Sequence, residues 1–337
     1  GVIQNHGMDG LIVATIMAGI ILVIAGFFRA GRLIALVPEP VIDGFTIGIA
    51  AIIAVSQFQD ALGLSAGKVP ADMIPKLEAL WAARATLSPA ALGITAATIA
   101  AILLLRRWRP RWPVLVIAVG FASLAVLWLH LPVDTVGSRF GALPTGLPAP
   151  HWPQVTADRI VVLLPSAFTI AFLAGVESLL SAIVADRMFG GHHRPSAELL
   201  AQGYANIVTP LFGGLPVTGA IARTATNVRA GGRTPVAGMV HALVILAVVL
   251  VAGKLAGTLA LPALAAVLLV TALNMAEPEK WREHLALSKE DLLLLVLTLV
   301  LTVFADLTIA IGVGVALGLL LRWGKGRASA PWTPRGR

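Results

Sequence analysis

The stretch LFGGLPVTGAIARTATNVRAGGR, residues 211–233, decides how the chain is read. Gly213, Gly214 and Pro216 interrupt the helical segment that arrives over residues 197–210. Glycine lacks helical bias, and proline lacks the N–H donor and clashes with the preceding turn. A second helix is predicted to restart after Pro216, over residues 217–230, and to stop at Gly231 and Gly232. At about 1.5 Å per residue it is roughly 20 Å long, too short for a hydrocarbon core of about 30 Å. It must therefore begin inside the membrane. Its first amide N–H groups then have no intrahelical partners, and its dipole places partial positive charge at that end. Arg223 adds a full charge. Discontinuous helices that start at the midplane hold anions in many secondary transporters. The stretch thus predicts an anion half-site at Thr218, Gly219, Ala220, Ile221, Ala222 and Arg223. Residues 218–221 supply main-chain donors behind small side chains, and Arg223 supplies the charge.

The rest of the chain suits that setting. Of 337 residues, 58% are hydrophobic and 12% charged, which describes a polytopic helical membrane protein. Apolar segments are read at 11–28, 36–58, 86–105, 113–129, 160–187, 197–211, 217–230, 234–251, 258–272, 292–305 and 307–321, eleven in all. Residues 1–10 read as loop. Residues 65–84 read as a loop with one surface helix, and residues 131–153 as a Pro/Gly-rich loop without helix. The charged, amphipathic stretch 277–289 reads as a surface helix. The tail, residues 323–337, is basic and polar. The absence of cysteine excludes disulfides, thiolate catalysis and cysteine metal sites.

The net charge of +8 reflects basic cytoplasmic loops rather than nucleic-acid binding. With the segments threaded alternately, and the two short ones entering and leaving on one side, eighteen of the 25 Lys and Arg residues fall on one face. Six fall on the other, and Arg223 stays between. The positive-inside rule then places the C-terminus in the cytoplasm.

Other polar residues carry less. Glu177 and Ser181 lie four apart, hence on one face of a membrane helix. A buried carboxylate must pair, bind a cation or take up a proton, so this pair is the candidate site for a coupling proton or sodium ion. Asp43 and Gln57 read as structural, Asp306 as a helix cap, and His192 with His193 as a solvated loop pair. No His/Asp/Glu cluster has metal-ligand spacing. No phosphate loop or nucleophile elbow is present, so no cofactor and no covalent chemistry are expected.

Three stretches carry a family resemblance: PEPVIDGFTIGIAAIIAVSQ (38–57), FLAGVESLLSAIVADR (172–187) and ELLAQGYANIVTPLFGGLPVTGAIARTATNVRAGGRTPVAG (198–238). Together they resemble the sulphate permease family, bacterial and plant anion transporters related to pendrin and prestin. The likeness covers nearly the whole chain, and its third stretch is highly specific. It implies an all-α fold of fourteen membrane segments in two inverted repeats of seven, with a substrate-bearing core domain and a gate domain that dimerises. About eleven of the fourteen segments are expected here. The first three, including the half-helix that faces the broken one, and the cytoplasmic STAS domain lie outside this sequence. Residues 1–155 then correspond to the remainder of the first repeat, mostly gate, residues 156–322 to the second repeat with the substrate half-site, and 323–337 to a cytoplasmic tail.

The resemblance further implies that Arg223 matches an arginine beside the anion site. Several animal members carry a hydroxyl residue where Ala222 stands. Sodium-coupled bicarbonate members carry Asp and Thr where Glu177 and Ser181 stand. The expected function is secondary transport of a small anion (sulphate, bicarbonate, chloride or a dicarboxylate) across a bacterial inner membrane by a homodimer. Two alternatives stay open: a nucleobase permease of the same fold, and a non-transporting membrane scaffold.

Overall fold

A computed structural model of the chain describes residues 2–32, 37–109, 112–141, 146, 148–229, 231–305 and 307–323. Fourteen helices are found among them, and the description is all-α. In chain order they are α1 (Val2–Phe27), α2 (Glu39–Leu62), α3 (Met73–Ala82), α4 (Pro89–Trp108) and α5 (Val114–Trp128). Then come α6 (Val136–Phe140), α7 (Ala157–Phe189), α8 (Pro195–Val208), α9 (Ile221–Arg229) and α10 (Pro235–Ala256). The last are α11 (Leu261–Met275), α12 (Trp281–Leu285), α13 (Lys289–Phe304) and α14 (Leu307–Trp323). Each of the eleven apolar segments has its helix. Six stretches are long and apolar enough to cross a membrane, from His6–Phe27 to Leu261–Leu285. The chain is therefore an integral membrane protein.

The helices sort into two compact units. The first holds α1, α7, α8, α9 and the beginning of α10; the second holds α2 to α6, the remainder of α10 and α11 to α14. In the first unit α1 packs along α7 and α8. Ala18 and Leu22 of α1 meet Ala171, Ala174 and Leu179 of α7 and Leu199 of α8 in one buried cluster. The α1–α8 crossing is so close that a Cβ on Gly203 would stand 2.8 Å from the Gly19 carbonyl oxygen, and one on Gly19 would stand 2.7 Å from the Gly203 oxygen. Small residues at such crossings are how membrane helices gain contact, since lipid supplies no hydrophobic drive between them. In the second unit Ile94, Val119, Val126, Ala260 and Ala263 form a corresponding core. There the Thr95 hydroxyl donates to the Ala61 carbonyl at 2.9 Å, tying α4 to α2.

Local expectations are corrected in four places. The chain start is helical rather than loop, with its break at Gly7, which adopts φ 68°. Residues 131–153 contain the short helix α6, because Thr135 and Ser138 form a reciprocal capping box at its start. The single surface helix expected over 277–289 is reduced to a 3-10 turn at Pro278–Lys280 and the five-residue α12. Ser288 then accepts from the Asp291 amide and opens α13. His193 is not a solvated loop side chain. The turn after α7 returns it to the Asp186 carboxylate, 2.7 Å from Nδ1, while His192 stays exposed. Asp306, the tail from 324 onward and the Ala222 side chain lie outside the described residues.

Candidate functional site

The site is assembled from three faces of the first unit. α8 contributes a polar stripe in an otherwise largely apolar segment: Glu198, Gln202 and Asn206, each four residues after the last. That spacing puts all three on one side of the helix. α7 contributes Ala174, Glu177, Ser178 and Ser181 at the same kind of spacing. The third face is the interrupted stretch itself. Its 3-10 turn at Thr209–Phe212 ends at Gly213, which takes the left-handed conformation with φ 73°.

From there the chain does not restart a helix at Val217, as the break alone predicts. α9 begins at Ile221 and runs for nine residues, about 14 Å at the usual rise. The four residues before it are non-helical, and Asn206 has taken the backbone of the first of them, Val217. The Asn206 side chain, fully buried, accepts from the Val217 N–H at 2.9 Å and donates to the Val217 carbonyl at 2.9 Å. The amide thereby stands in for a neighbouring β-strand. Gln202 adds a second donor to the same carbonyl. One residue on, the Thr218 hydroxyl donates to the Ala174 carbonyl of α7 at 3.0 Å. Gly219 then passes so near α7 that a Cβ would meet the Ser178 Cα at 3.1 Å. A side chain there would push the strand off the helix.

These contacts fix where the half-helix starts. Ala220 accepts from the Thr224 amide at 2.9 Å and closes the first helical turn. The amides of Ile221, Ala222 and Arg223 therefore occupy the first turn, where helical geometry provides no intrahelical acceptor. The six residues expected as one donor array thus divide into two groups. Thr218, Gly219 and Ala220 form the non-helical approach, with the Thr218 side chain already committed. Ile221, Ala222 and Arg223 form the helix opening. Arg223 is exposed at the third helical position.

Behind this opening lie the residues expected to couple an ion. The Ser181 hydroxyl is buried and donates to Thr224 Oγ1 at 2.6 Å, tying α7 to the first turn of α9. Glu177 is half-buried, and its carboxylate lies within electrostatic reach of the Arg223 guanidinium. Ser178 donates to Glu198 at 2.5 Å, so a second carboxylate is held behind α7. Reading the sequence missed Glu198, Gln202 and Asn206. Their signal was present as three polar residues repeating every four positions within a membrane segment, ahead of the break.

A non-helical approach and a nine-residue helix with an arginine in its first turn, set among long apolar helices, define a class: polytopic membrane proteins with a discontinuous helix. The family follows from comparison. The chain belongs to the Sulfate permease family, whose profile matches residues 3–298. It is 39% identical over 296 residues to YvdB of Bacillus subtilis (strain 168), covering 88% of this chain and 56% of that protein. It is 31% identical to the bicarbonate transporter BicA of Synechocystis, over 78% of this chain and 46% of that one. The chain thus spans about half the length of these curated relatives. Its fold is similar to that of the transmembrane domain of a cyanobacterial BicA, with a TM-score of 0.78, 28% identity, and coverage of 92% of this chain and 78% of the other. The fold of SLC26A9 is also similar, with a TM-score of 0.82 at 20% identity, over 96% of this chain and 52% of that one. The inverted-repeat fold of seven plus seven segments is therefore the fold to which these helices belong.

Proposed function

We propose that the protein containing this chain carries a small anion across a bacterial inner membrane by alternating access, and that the anion is held where α9 begins. The candidate cargo is sulphate, bicarbonate, chloride or a small dicarboxylate. The observation that carries the reading is the Asn206 clamp on Val217. It holds Val217 out of the helix, so that α9 begins at Ile221 and the amides of Ile221, Ala222 and Arg223 open toward the ligand beside the Arg223 charge. Free N–H groups donate to the anion. The dipole adds roughly 0.3–1 kcal/mol at an exposed helix end and up to about 2 when partly buried. Arg223 adds a full positive charge beside those amides. A nucleobase permease of the same fold is not favoured, because the family match and the arginine at the helix mouth both point to an anion.

Coupling follows from the position of Glu177. Its carboxylate opposes Arg223 and weakens the positive field offered to an anion. A proton or sodium ion at Glu177, with Ser181 beside it, removes that opposition. Cation and anion then favour each other's binding, which is the linkage a symporter needs. We place the dimer contact in the second unit and the C-terminus in the cytoplasm, in line with the charge asymmetry of the loops.

The deciding experiment is anion flux into proteoliposomes holding the full-length protein. Arg223→Ala lowers the affinity for the transported anion at least tenfold, about 1.4 kcal/mol, and Arg223→Lys recovers part of it. Unchanged affinity in Arg223→Ala removes the arginine from the site.

A further inference from the structure

A second cation, in the other unit, has no role in this account. α3 carries a lysine within its buried face. It exposes Ile74, Leu77 and Trp81, and buries Met73, Lys76 and Leu80 against its own unit. Lysine is almost never buried without a partner, yet Lys76 is only 7% exposed. Its Nζ donates to Ser56 Oγ of α2 at 3.0 Å. The serine hydroxyl in turn donates to the Ile52 carbonyl at 2.8 Å, so its oxygen is aimed at the lysine. An ammonium has three donors, and this contact meets one.

The ammonium borders a cavity of about 240 Å³, lined among others by Ser56, Gln59, Val69, Pro70, Lys76 and Leu80. That volume holds several waters at about 30 Å³ each, or one hydrated inorganic anion. No lining residue is acidic. Asp60, next to the lining Gln59, is engaged by Arg139. The pocket therefore combines a largely buried ammonium with spare donors and has no acidic residue in its lining. An unpaired buried charge is costly, and an anion in the cavity relieves that cost.

We propose that this cavity is a second anion site, separate from the opening of α9, in which Lys76 holds a small inorganic oxyanion with Gln59 beside it and Ser56 orienting the ammonium. The outer face of α3 points to a second source of the same chemistry. Arg84 stacks on Trp81, 4.7 Å from the ring centroid, beside exposed Ile74 and Leu77. This is the composition of a helix lying at the membrane interface, where lipid phosphates also stand.

The test uses the purified full-length protein and sulfate, titrated by calorimetry in a non-ionic detergent. Two sites per chain are expected. Lys76→Met removes one and leaves the Arg223-dependent site within about threefold, while Lys76→Arg retains both. Arg223→Ala weakens only the other site, so failure of the transport reading and failure of this one are read separately. Repeating the titration in phosphatidylcholine and phosphatidylglycerol nanodiscs identifies the source. Loss of the Lys76-dependent site in phosphatidylglycerol alone assigns it to a lipid phosphate, and its persistence in both assigns it to a free anion. If Lys76→Met does not fold, Gln59→Leu decides, since it leaves the Lys76–Ser56 contact in place and is expected to weaken the site at least threefold. A wild-type protein with one site, unaffected by Lys76→Met or by Gln59→Leu, overturns the proposal.

Discussion

Replacing Asn206 with leucine tests the clamp that positions the half-site. The substitution keeps the number and branching of the side-chain heavy atoms, so it removes hydrogen bonds without opening a cavity. In the native chain the amide accepts from the Val217 N–H at 2.9 Å and donates to the Val217 carbonyl and to the Gln202 carbonyl, both at 2.9 Å. In the variant the carbonyl of Val217 keeps its donor from Gln202, but the N–H is left without that partner. An orphaned buried donor costs about 1–3 kcal/mol, and each lost hydrogen bond roughly 0.5–1.5 more. The expected loss of stability is therefore about 2–6 kcal/mol, a drop of several degrees or more in the unfolding midpoint. The functional effect follows from geometry. Freed from Asn206, residues 217–220 are able to join the helix, which moves the free first-turn amides back by about one turn and away from Arg223. Anion affinity should fall at least tenfold, about 1.4 kcal/mol. Gln202→Leu is the internal comparison: it removes one of two donors on the same carbonyl and leaves the N–H paired, so its cost is about 0.5–1.5 kcal/mol. Thermal unfolding in detergent and anion uptake in proteoliposomes read the two effects. If Asn206→Leu proves no worse than Gln202→Leu in both assays, the clamp does not set the site and the argument fails.

Three further outcomes are expected. Glu177→Gln should bind the anion at least as tightly as wild type while losing the dependence of uptake on pH or sodium, because the charge opposing Arg223 is gone; full retention of that dependence would make Glu177 structural. Gly203→Ala should lower the unfolding midpoint by an amount equivalent to about 1–3 kcal/mol, since the new Cβ meets the Gly19 carbonyl oxygen at 2.8 Å and backbone cannot yield as a side chain does; a neutral result would contradict the closeness of α1 and α8. Single cysteines at Lys68 and His151 should react with an impermeant maleimide on intact cells, whereas one at Arg107 should react only after permeabilisation, and the opposite pattern would invert the topology.

Much of this protein was legible in the chain itself. Hydrophobic content, the Gly213-Gly214-Pro216 break and the one-sided distribution of Lys and Arg require only local chemistry and the thickness of a bilayer. They specify an all-α membrane protein with a helix interrupted after Phe212 and an arginine just beyond the break. Glu177 and Ser181 were likewise visible as a helical pair. Where the half-helix begins was not legible, because Val217 has no local reason to stay extended. Only the tertiary structure supplies one, by bringing Asn206 of α8 to its backbone and the Ala174 carbonyl of α7 to Thr218. The opposition of Glu177 and Arg223, and the burial of Lys76 over a cavity, arise in the same way. Periodicity tells which residues share one helix face. Which backbone or charge that face will meet depends on helices far away in sequence, and only packing decides it.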